Sequence, residues 1–378
     1  MGKEKPNQLL FEDFEFSEIK SVGITLNKEK FIEILSEISS LNNLFSIKGR
    51  ILELKSIILN FNQDKKGILN IHSNGDTVSF RKDLIISELD KIIETHSIER
   101  AKYYIKRLLI SIINVKTNKI NDINLSRWKE YDEIITDSLW ILDKRDNSGA
   151  HLGWYWGNFI PQIPHQIMLR YTKKGDWILD AFVGSGTTLI ECRRLGRNGI
   201  GLELNKEVAL KAKELIQKQK NEFNIISEIF VGDSRFLDLN QIISKFGISN
   251  FQLLIMHPPY FDIIKFSNYE EDLSNSKDLE DFLEKFGKVI NNVTPFLEKK
   301  RYFALVVGDI YSKGEWIPLG FYCMQEVLKR GYLLKSIVVK NFEETRGKRN
   351  QKELWRYRAL VGGFYVFKHE YILIFQKK

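Results

Sequence analysis

A doubly wound, mostly parallel α/β sheet is predicted for the C-terminal part of this chain, on three observations. From about residue 175 short apolar runs alternate with segments of helical periodicity. The first run ends in a glycine loop, Asp180-Ala-Phe-Val-Gly184-Ser-Gly186-Thr-Thr188, which opens a helix. The next two runs end in acids, Glu203 and Asp233. Such sheets bind ligands beyond the carboxyl ends of their strands, near the point where strand order reverses. Acids at successive strand ends therefore read as a pocket.

The strands are expected at 177–181, 199–203, 227–231, 252–256, 302–307, 333–340 and 370–376, and the helices at 187–195, 206–220, 238–246, 278–297 and 318–330. Residues 1–145 read differently, as a mainly helical domain. Helical spacing covers 28–40, 47–61 and 83–115, and Asn74-Gly75 between two alternating runs predicts a β-hairpin. Helices around a hairpin suit either a winged-helix-like DNA-recognition module or a scaffold for the rest. The stretch 143–149 (DKRDNSG) is the linker candidate, which leaves 146–378 as a catalytic domain.

At 378 residues with 43% hydrophobic content, the chain has ample material for packed cores. A formal net charge of +8 leans toward a polyanionic partner. The two cysteines, Cys192 and Cys323, lie far apart without metal-ligand spacing, so neither a disulfide framework nor a metal site is expected. The start, MGKEKPNQ, lacks a signal-type apolar segment, and no apolar run is long enough for a membrane span. The expected compartment is a reducing cytosol.

The glycine loop lacks the Gly-Lys-Ser/Thr of a phosphate-binding Walker loop and the third glycine of the dinucleotide fingerprint. The acids downstream of it are more telling. Glu203, about twenty residues on, can accept from both hydroxyls of a ribose. Asp233 can accept from an adenine exocyclic amine, and Phe236 can flank the ring. Together they describe a pocket for an adenosine with a cationic tail.

DAFVGSGTT, GLELN, GDS and HPPY, in this order and spacing, resemble motifs I to IV of the amino-methylating DNA methyltransferases. Gly157-Asn-Phe-Ile-Pro161-Gln-Ile-Pro164 resembles the segment before motif I in that family, and His369-Glu370-Tyr371 opens a run similar to its last strand. The resemblance covers roughly 150–378. It implies a Rossmann-like class I methyltransferase sheet with an antiparallel last strand, S-adenosylmethionine as cofactor, and methyl transfer to adenine N6 or cytosine N4 of double-stranded DNA. The cofactor residues implied are Asn158, Phe159, Pro161, Asp180, Phe182, Gly184, Ser185, Gly186, Thr187, Thr188, Glu203, Asn205, Asp233, Ser234 and Phe236. A restriction or defence partner protein would suit that setting.

The tetrapeptide His257-Pro258-Pro259-Tyr260 closes the fourth strand and carries the expected chemistry. An exocyclic amine is a poor nucleophile because its lone pair is delocalised into the ring. Two acceptors that grip its protons aim the lone pair and stabilise the charge that develops. Pro258 lacks an N–H, and consecutive prolines fix the backbone, so the Pro258 carbonyl supplies one acceptor. His257 supplies the other, and Tyr260 offers a face to an extruded base. The family more often has Asp, Asn or Ser at the first position, so His257 leaves adenine and cytosine both open. A neutral imidazole accepts and a protonated one does not, so activity is expected to fall through the His257 pKa.

Residues 340–358 hold seven Lys/Arg against three Glu, with Trp355 and Tyr357 among them, and 340–367 is a candidate DNA-contacting insertion. Lys265, Arg346, Lys348, Arg349, Arg356 and Arg358 are the candidate DNA ligands, and Trp154, Tyr155 and Trp156 are expected near the cofactor. The alternatives are transfer to RNA or to a protein glutamine, or a catalytically silent module that only binds DNA or cofactor.

Overall fold

The computed structural model describes residues 23–60, 67–71, 76–342 and 351–378. The chain divides into two compact units, Met1–Lys116 with Asn124–Tyr131, and Thr117–Ile123 with Asp132–Lys378. The expected linker at 143–149 therefore lies inside the second unit.

The first unit holds strand β1 (Gly23–Asn27), helices α1 (Lys28–Ser40) and α2 (Leu44–Leu59), strand β2 (Thr77–Arg81), and helices α3 (Lys82–Ile93) and α4 (Ile98–Ile113). Asparagine and serine caps start three of these helices. Asn27 accepts from Lys30 N, Asn43 from Ser46 N and Ser97 from Arg100 N. Their apolar stripes meet in one core that includes Phe31, Leu35, Ile51, Leu54, Leu89 and Ile105.

The expected hairpin is corrected. Its turn, Asn74-Gly75, lies outside the described residues, but β2 pairs antiparallel with β1 rather than with the run at 67–71. Both strands alternate, and this register sets Ile24 against Phe80 and Leu26 against Val78, all four buried. The 67–71 run contributes instead the Ile68 carbonyl, which accepts from Asn27 N at 2.7 Å.

The second unit is a three-layer α/β structure. Its elements are β3 (Leu139–Trp140), α5 (Gln162–Tyr171), β4 (Trp177–Asp180), α6 (Thr187–Leu195), β5 (Asn198–Glu203), α7 (Lys206–Lys218), β6 (Ser227–Val231), α8 (Leu239–Ser244), β7 (Phe251–Met256), α9 (Leu279–Val293), β8 (Leu297–Val307), β9 (Ile310–Ser312), β10 (Glu315–Ile317), α10 (Leu319–Lys329), β11 (Leu333–Asn341), α11 (Lys352–Gly362) and β12 (His369–Gln376). Eight strands form the sheet in the order β3-β11-β12-β8-β7-β4-β5-β6. Strands β4 to β8 run parallel and β12 is antiparallel to both its neighbours, as the sequence led one to expect.

Strand β7 is apolar except for Gln252 because both its faces are covered. Leu254 and Met256 join the layer of α8, α9 and α10, while Leu253 and Ile255 face Ile163, Ile167 and Met168 of α5. Each such side chain contributes about 1.5–3 kcal/mol on burial. The order reverses between β4 and β7, which lie side by side with Asp180 opposite Ile255. Both the glycine loop and His257-Pro258-Pro259-Tyr260 leave the sheet at this switch point.

Other departures have local causes. The helix expected over 278–297 stops at Val293, because Pro295 has no N–H to continue the ladder, and a single tight turn leads into β8. Helix α5 follows Pro161 and tolerates Pro164 in its first turn. The β9–β10 hairpin turns at Lys313-Gly314, where both residues have positive φ. Cys192 and Cys323 are free and buried. Among the described residues, no helix is long and apolar enough to cross a membrane.

Candidate active site

A cavity of about 1180 Å³ opens at the switch point, lined by residues of the glycine loop, the ends of β5 and β6, the tetrapeptide, and the start of β12. Pockets for one small ligand run to roughly 300–1,000 Å³, so this one has room for a cofactor and a second group.

One wall is the turn after β4. Asp180 is buried and does not reach the cavity; its Oδ1 accepts from Phe182 N at 2.9 Å and so shapes the turn. Burial pushes its carboxyl up to about 6. Gly184 adopts φ +48, where a side chain would be strained, and a Cβ there would come within 3.2 Å of the Tyr155 ring. Its N–H donates to Glu203 Oε2 at 3.0 Å, and Asn205 N donates to Oε1 at 2.9 Å. Burial nonetheless raises the Glu203 carboxyl to about 7. Gly186 faces away from the cavity; a Cβ there would press on Ile216 of α7.

The segment before α5 is tied to this wall. The Asn158 amide oxygen accepts from Ser185 Oγ at 3.1 Å and from Arg145 Nη2 at 3.0 Å, while its nitrogen donates to the Tyr155 carbonyl at 3.2 Å. Ser185 and Thr187 share a hydroxyl contact of 3.0 Å. Behind them Glu191 of α6 joins His151 and His165, each at 2.6 Å, and Arg194 at 2.9 Å. Burial alone would raise the Glu191 carboxyl, but the imidazoles and Arg194 hold it down to about 2. Tyr155 and Trp156 line the cavity, whereas Trp154 packs beside Val183 under the Lys211 ammonium.

Not every expected cofactor residue reaches the cavity. Asn158, Phe159, Phe182, Gly184, Ser185, Thr187, Glu203, Asn205, Asp233 and Ser234 line it, but Asp180 and Gly186 do not, Pro161 precedes α5 and Thr188 is buried in α6. Phe236 is 68% exposed and lies outside the lining, under the Arg235 guanidinium. The Asp233 carboxylate is engaged by Arg235, with Nη2 at 2.6 Å and Nε at 3.0 and 2.9 Å. Asn205 caps α7 through Glu207 N, and Ser234 Oγ donates to the Ala181 carbonyl.

A second wall of the lining is the tetrapeptide. His257 touches the Phe159 ring, 5.0 Å between centroids, and its Nε2 lies 3.1 Å from Tyr260 Oη. Burial pushes the imidazole down to about 4, with Glu370 opposing that shift and Lys340 adding to it. Tyr260 Oη donates to Glu370 Oε2 at 3.1 Å, and Lys340 Nζ donates to Glu370 Oε1 at 3.0 Å. A second chain joins His369 Nε2 to Tyr371 Oη and Tyr371 Oη to Asp309 Oδ2, each at 3.1 Å. Phe261, next after Tyr260, sits at φ +50, which costs about 1–2 kcal/mol. Its ring is buried beside Phe282, which offsets that strain.

Lys340, Glu370 and Asp309 were not among the expected site residues. The sequence places Lys340 and Glu370 near the ends of two expected strands, but only the register of β11 against β12 pairs them. Of the expected DNA ligands, Lys265, Arg356 and Arg358 are exposed, and Arg346, Lys348 and Arg349 lie outside the described residues. The 340–367 segment contributes Phe342, Trp355, Phe364 and Tyr365 to the cavity lining.

The family model N6_N4_Mtase, described as DNA methylase, matches residues 4–214, more than half of the chain. This chain belongs to the DNA methylase family. Three relatives carry the same signal. Type II methyltransferase M.MjaII of Methanocaldococcus jannaschii is 25% identical over 242 residues, 56% of this chain and 44% of that protein. Type II methyltransferase M.HpaI of Haemophilus parainfluenzae is 43% identical over 63 residues, 17% and 20% of the two chains. Type II methyltransferase M2.DpnII of Streptococcus pneumoniae is 48% identical over 59 residues, 16% and 22%. The matches span less than half the length of these relatives.

The chain has the sheet of class I S-adenosylmethionine-dependent methyltransferases, and S-adenosylmethionine is the family's cofactor. The residues present fit that molecule. The chain as a whole carries +8, yet seven carboxylates line the cavity (Glu203, Asp233, Asp262, Glu271, Asp272, Asp309, Glu370) against two cationic side chains, Arg145 and Lys340. An acid-lined cavity in a basic protein suits a ligand with a sulfonium and an ammonium group. The bare backbone at Gly184 leaves the close approach that an adenosine tail needs.

Proposed function

We propose that this methylase transfers a methyl group to the exocyclic amine of a base, adenine N6 or cytosine N4, flipped out of double-stranded DNA. The observation that carries the reading is a neutral His257 lining the same cavity as Glu203. S-adenosylmethionine, when bound, supplies an activated methyl on a sulfonium. Glu203 would hold its ribose hydroxyls, with Gly184 and Asn205 fixing the carboxylate from behind. Phe182, Ser185 and Asn158 would complete that wall. The acids of the lining favour the cationic end.

On the other wall His257 and the Pro258 carbonyl accept from the two amine protons. This holds the nitrogen with its lone pair aimed into the cavity and stabilises positive charge there. The enclosed imidazole stays neutral through the physiological range, so one of its ring nitrogens is left to accept. Pro259 stiffens the turn, and Tyr260 presents a fixed ring. The aromatic residues of 340–367 give the base surfaces to stack on, and Lys265, Arg356 and Arg358 supply phosphate contacts.

On α4 of the first unit, the Arg100 guanidinium lies over Tyr103 and Tyr104, and Arg107 lies over Tyr104. This interleaving supports a DNA-contacting role for the N-terminal domain in place of a bare scaffold. A restriction–modification setting is suggested by the Type II names of the relatives.

The test is tritiated-methyl transfer to duplex DNA, structured RNA and a glutamine-containing protein side by side, with mapping of modified bases in the DNA. Label in DNA alone, at one short recognition sequence, is the expected result. Label in RNA or protein with none in DNA would replace this reading.

A further inference from the structure

Tyr260, expected to be a bare stacking face, has its hydroxyl engaged on both sides, and the direction of those hydrogen bonds can be worked out proton by proton. Lys340 and Glu370 are 5% and 9% exposed and face each other in register across β11 and β12. As the acid half of an ion pair, Glu370 has no proton to give; it accepts from Lys340 on Oε1 and from Tyr260 on Oε2. A phenol has one proton, and Tyr260 commits it to Glu370. Toward His257 the Tyr260 oxygen can then only accept. The Nε2 atom, 3.1 Å away, must carry the imidazole proton. In a neutral ring this leaves Nδ1 with the lone pair, and among the described residues no group hydrogen-bonds Nδ1.

We propose that Glu370, anchored by Lys340, is a positioning residue that acts through Tyr260 to hold the His257 proton on Nε2, so that Nδ1 is the acceptor presented to the target amine. The link to the amine rests on the function proposed above; the proton relay does not. Burial keeps the ring neutral, which leaves only two tautomers for the relay to choose between. The arrangement also explains a buried Lys–Glu pair whose burial is otherwise unfavourable or neutral for stability. It lets a histidine stand where an Asp or Asn is usual, because an imidazole that can present either nitrogen as donor is held in one tautomer.

Glu370→Gln makes the sharpest test. The Gln carbonyl turns to the Lys340 ammonium and its NH2 group to Tyr260, so Tyr260 now donates to His257 and the proton moves to Nδ1. Nitrogen-15 NMR of the histidine-labelled full chain, with His257 assigned by H257Q, reads the tautomer without any reaction. The wild type should show a protonated Nε2 and a bare Nδ1 from pH 5.5 to 8, and E370Q the reverse. Tyr260→Phe removes the relay while keeping the ring, and should give a mixture of tautomers; it serves if E370Q fails to fold by circular dichroism. For methyl transfer, E370Q should lower kcat by about tenfold to a hundredfold, the size found when the outer partner of a metal-bound histidine is lost, with KM for S-adenosylmethionine unchanged. A wild-type Nδ1–H tautomer, or the same tautomer in wild type, E370Q and Y260F, overturns the relay. Reversal in E370Q with transfer at the wild-type rate would instead overturn the role of His257 as amine acceptor and leave the relay standing.

Discussion

The two walls of the cavity are built in different ways. The Glu203 wall is made of neighbours in sequence: Glu203 lies 19 residues from Gly184 and two from Asn205, and backbone N–H groups hold its carboxylate. The His257 wall is made of side chains from distant strands, with Tyr260 and Glu370 separated by 110 residues. Their electrostatics differ as well. Burial raises the Glu203 carboxyl to about 7 and lowers the His257 imidazole to about 4, so enclosure disfavours charge on both. The first wall holds a group ready to gain charge when a partner arrives. The second holds a group kept neutral, whose use depends on which nitrogen carries the proton.

If the walls serve separate tasks, substitutions should separate cofactor binding from transfer. The largest effect is expected for His257→Ala: a loss of about a hundredfold in kcat, the size seen when one stabilising hydrogen-bond partner is removed. Its dissociation constant for S-adenosylmethionine, by calorimetry, should stay within about twofold of wild type. Glu203→Ala should do the opposite. Losing hydrogen bonds to a charged group, worth about 1.5–3 kcal/mol each, raises the cofactor dissociation constant at least about tenfold. DNA binding by the same variant, in a gel-shift assay, should stay at the wild-type level.

The pH dependence sharpens the contrast. Glu203 must be ionised to accept from two hydroxyls, and its raised carboxyl ionises through about 7, so cofactor affinity should rise about tenfold between pH 6 and pH 8. His257 must be neutral, and its lowered imidazole protonates only through about 4. Single-turnover transfer at saturating cofactor should therefore be flat from pH 8 to about 5.5 and fall below that. A fall centred near pH 6.5 would mean that His257 is not enclosed as described. The smallest effect concerns the rim. Arg356→Ala with Arg358→Ala should reduce the slope of log affinity against log salt by about 0.9 for each phosphate left without its arginine.

The same contrast decides what was legible in the sequence. The seven main strands and five helices from residue 177 onward were readable, because two covered faces demand largely apolar runs and α7 carries clear periodicity, whereas the short β9–β10 hairpin and α11 were not expected. The glycine loop, Glu203 and the tetrapeptide were readable as local motifs. Phe236 and Asp233 show the limit of such reading: a motif position does not say which way a side chain turns, and Arg235, two residues from Asp233, claims that carboxylate. The Lys340–Glu370 pair was hidden for another reason. Its meaning lies in the register of β11 against β12 and in the reach of Tyr260, and neither is a property of adjacent residues. The hairpin in the first unit failed likewise, since its partner strand β1 lies some fifty residues upstream of the alternating run it pairs with.

The most direct test of the account is the position of the methyl group. Duplex DNA carrying the recognition sequence is incubated with the full chain and S-adenosylmethionine bearing a deuterated methyl, then digested to nucleosides and analysed by mass spectrometry. The expected product is N6-methyladenine or N4-methylcytosine carrying the heavy methyl, one species only. Heavy methyl on a cytosine ring carbon, or none on DNA while calorimetry shows the cofactor bound, would contradict it.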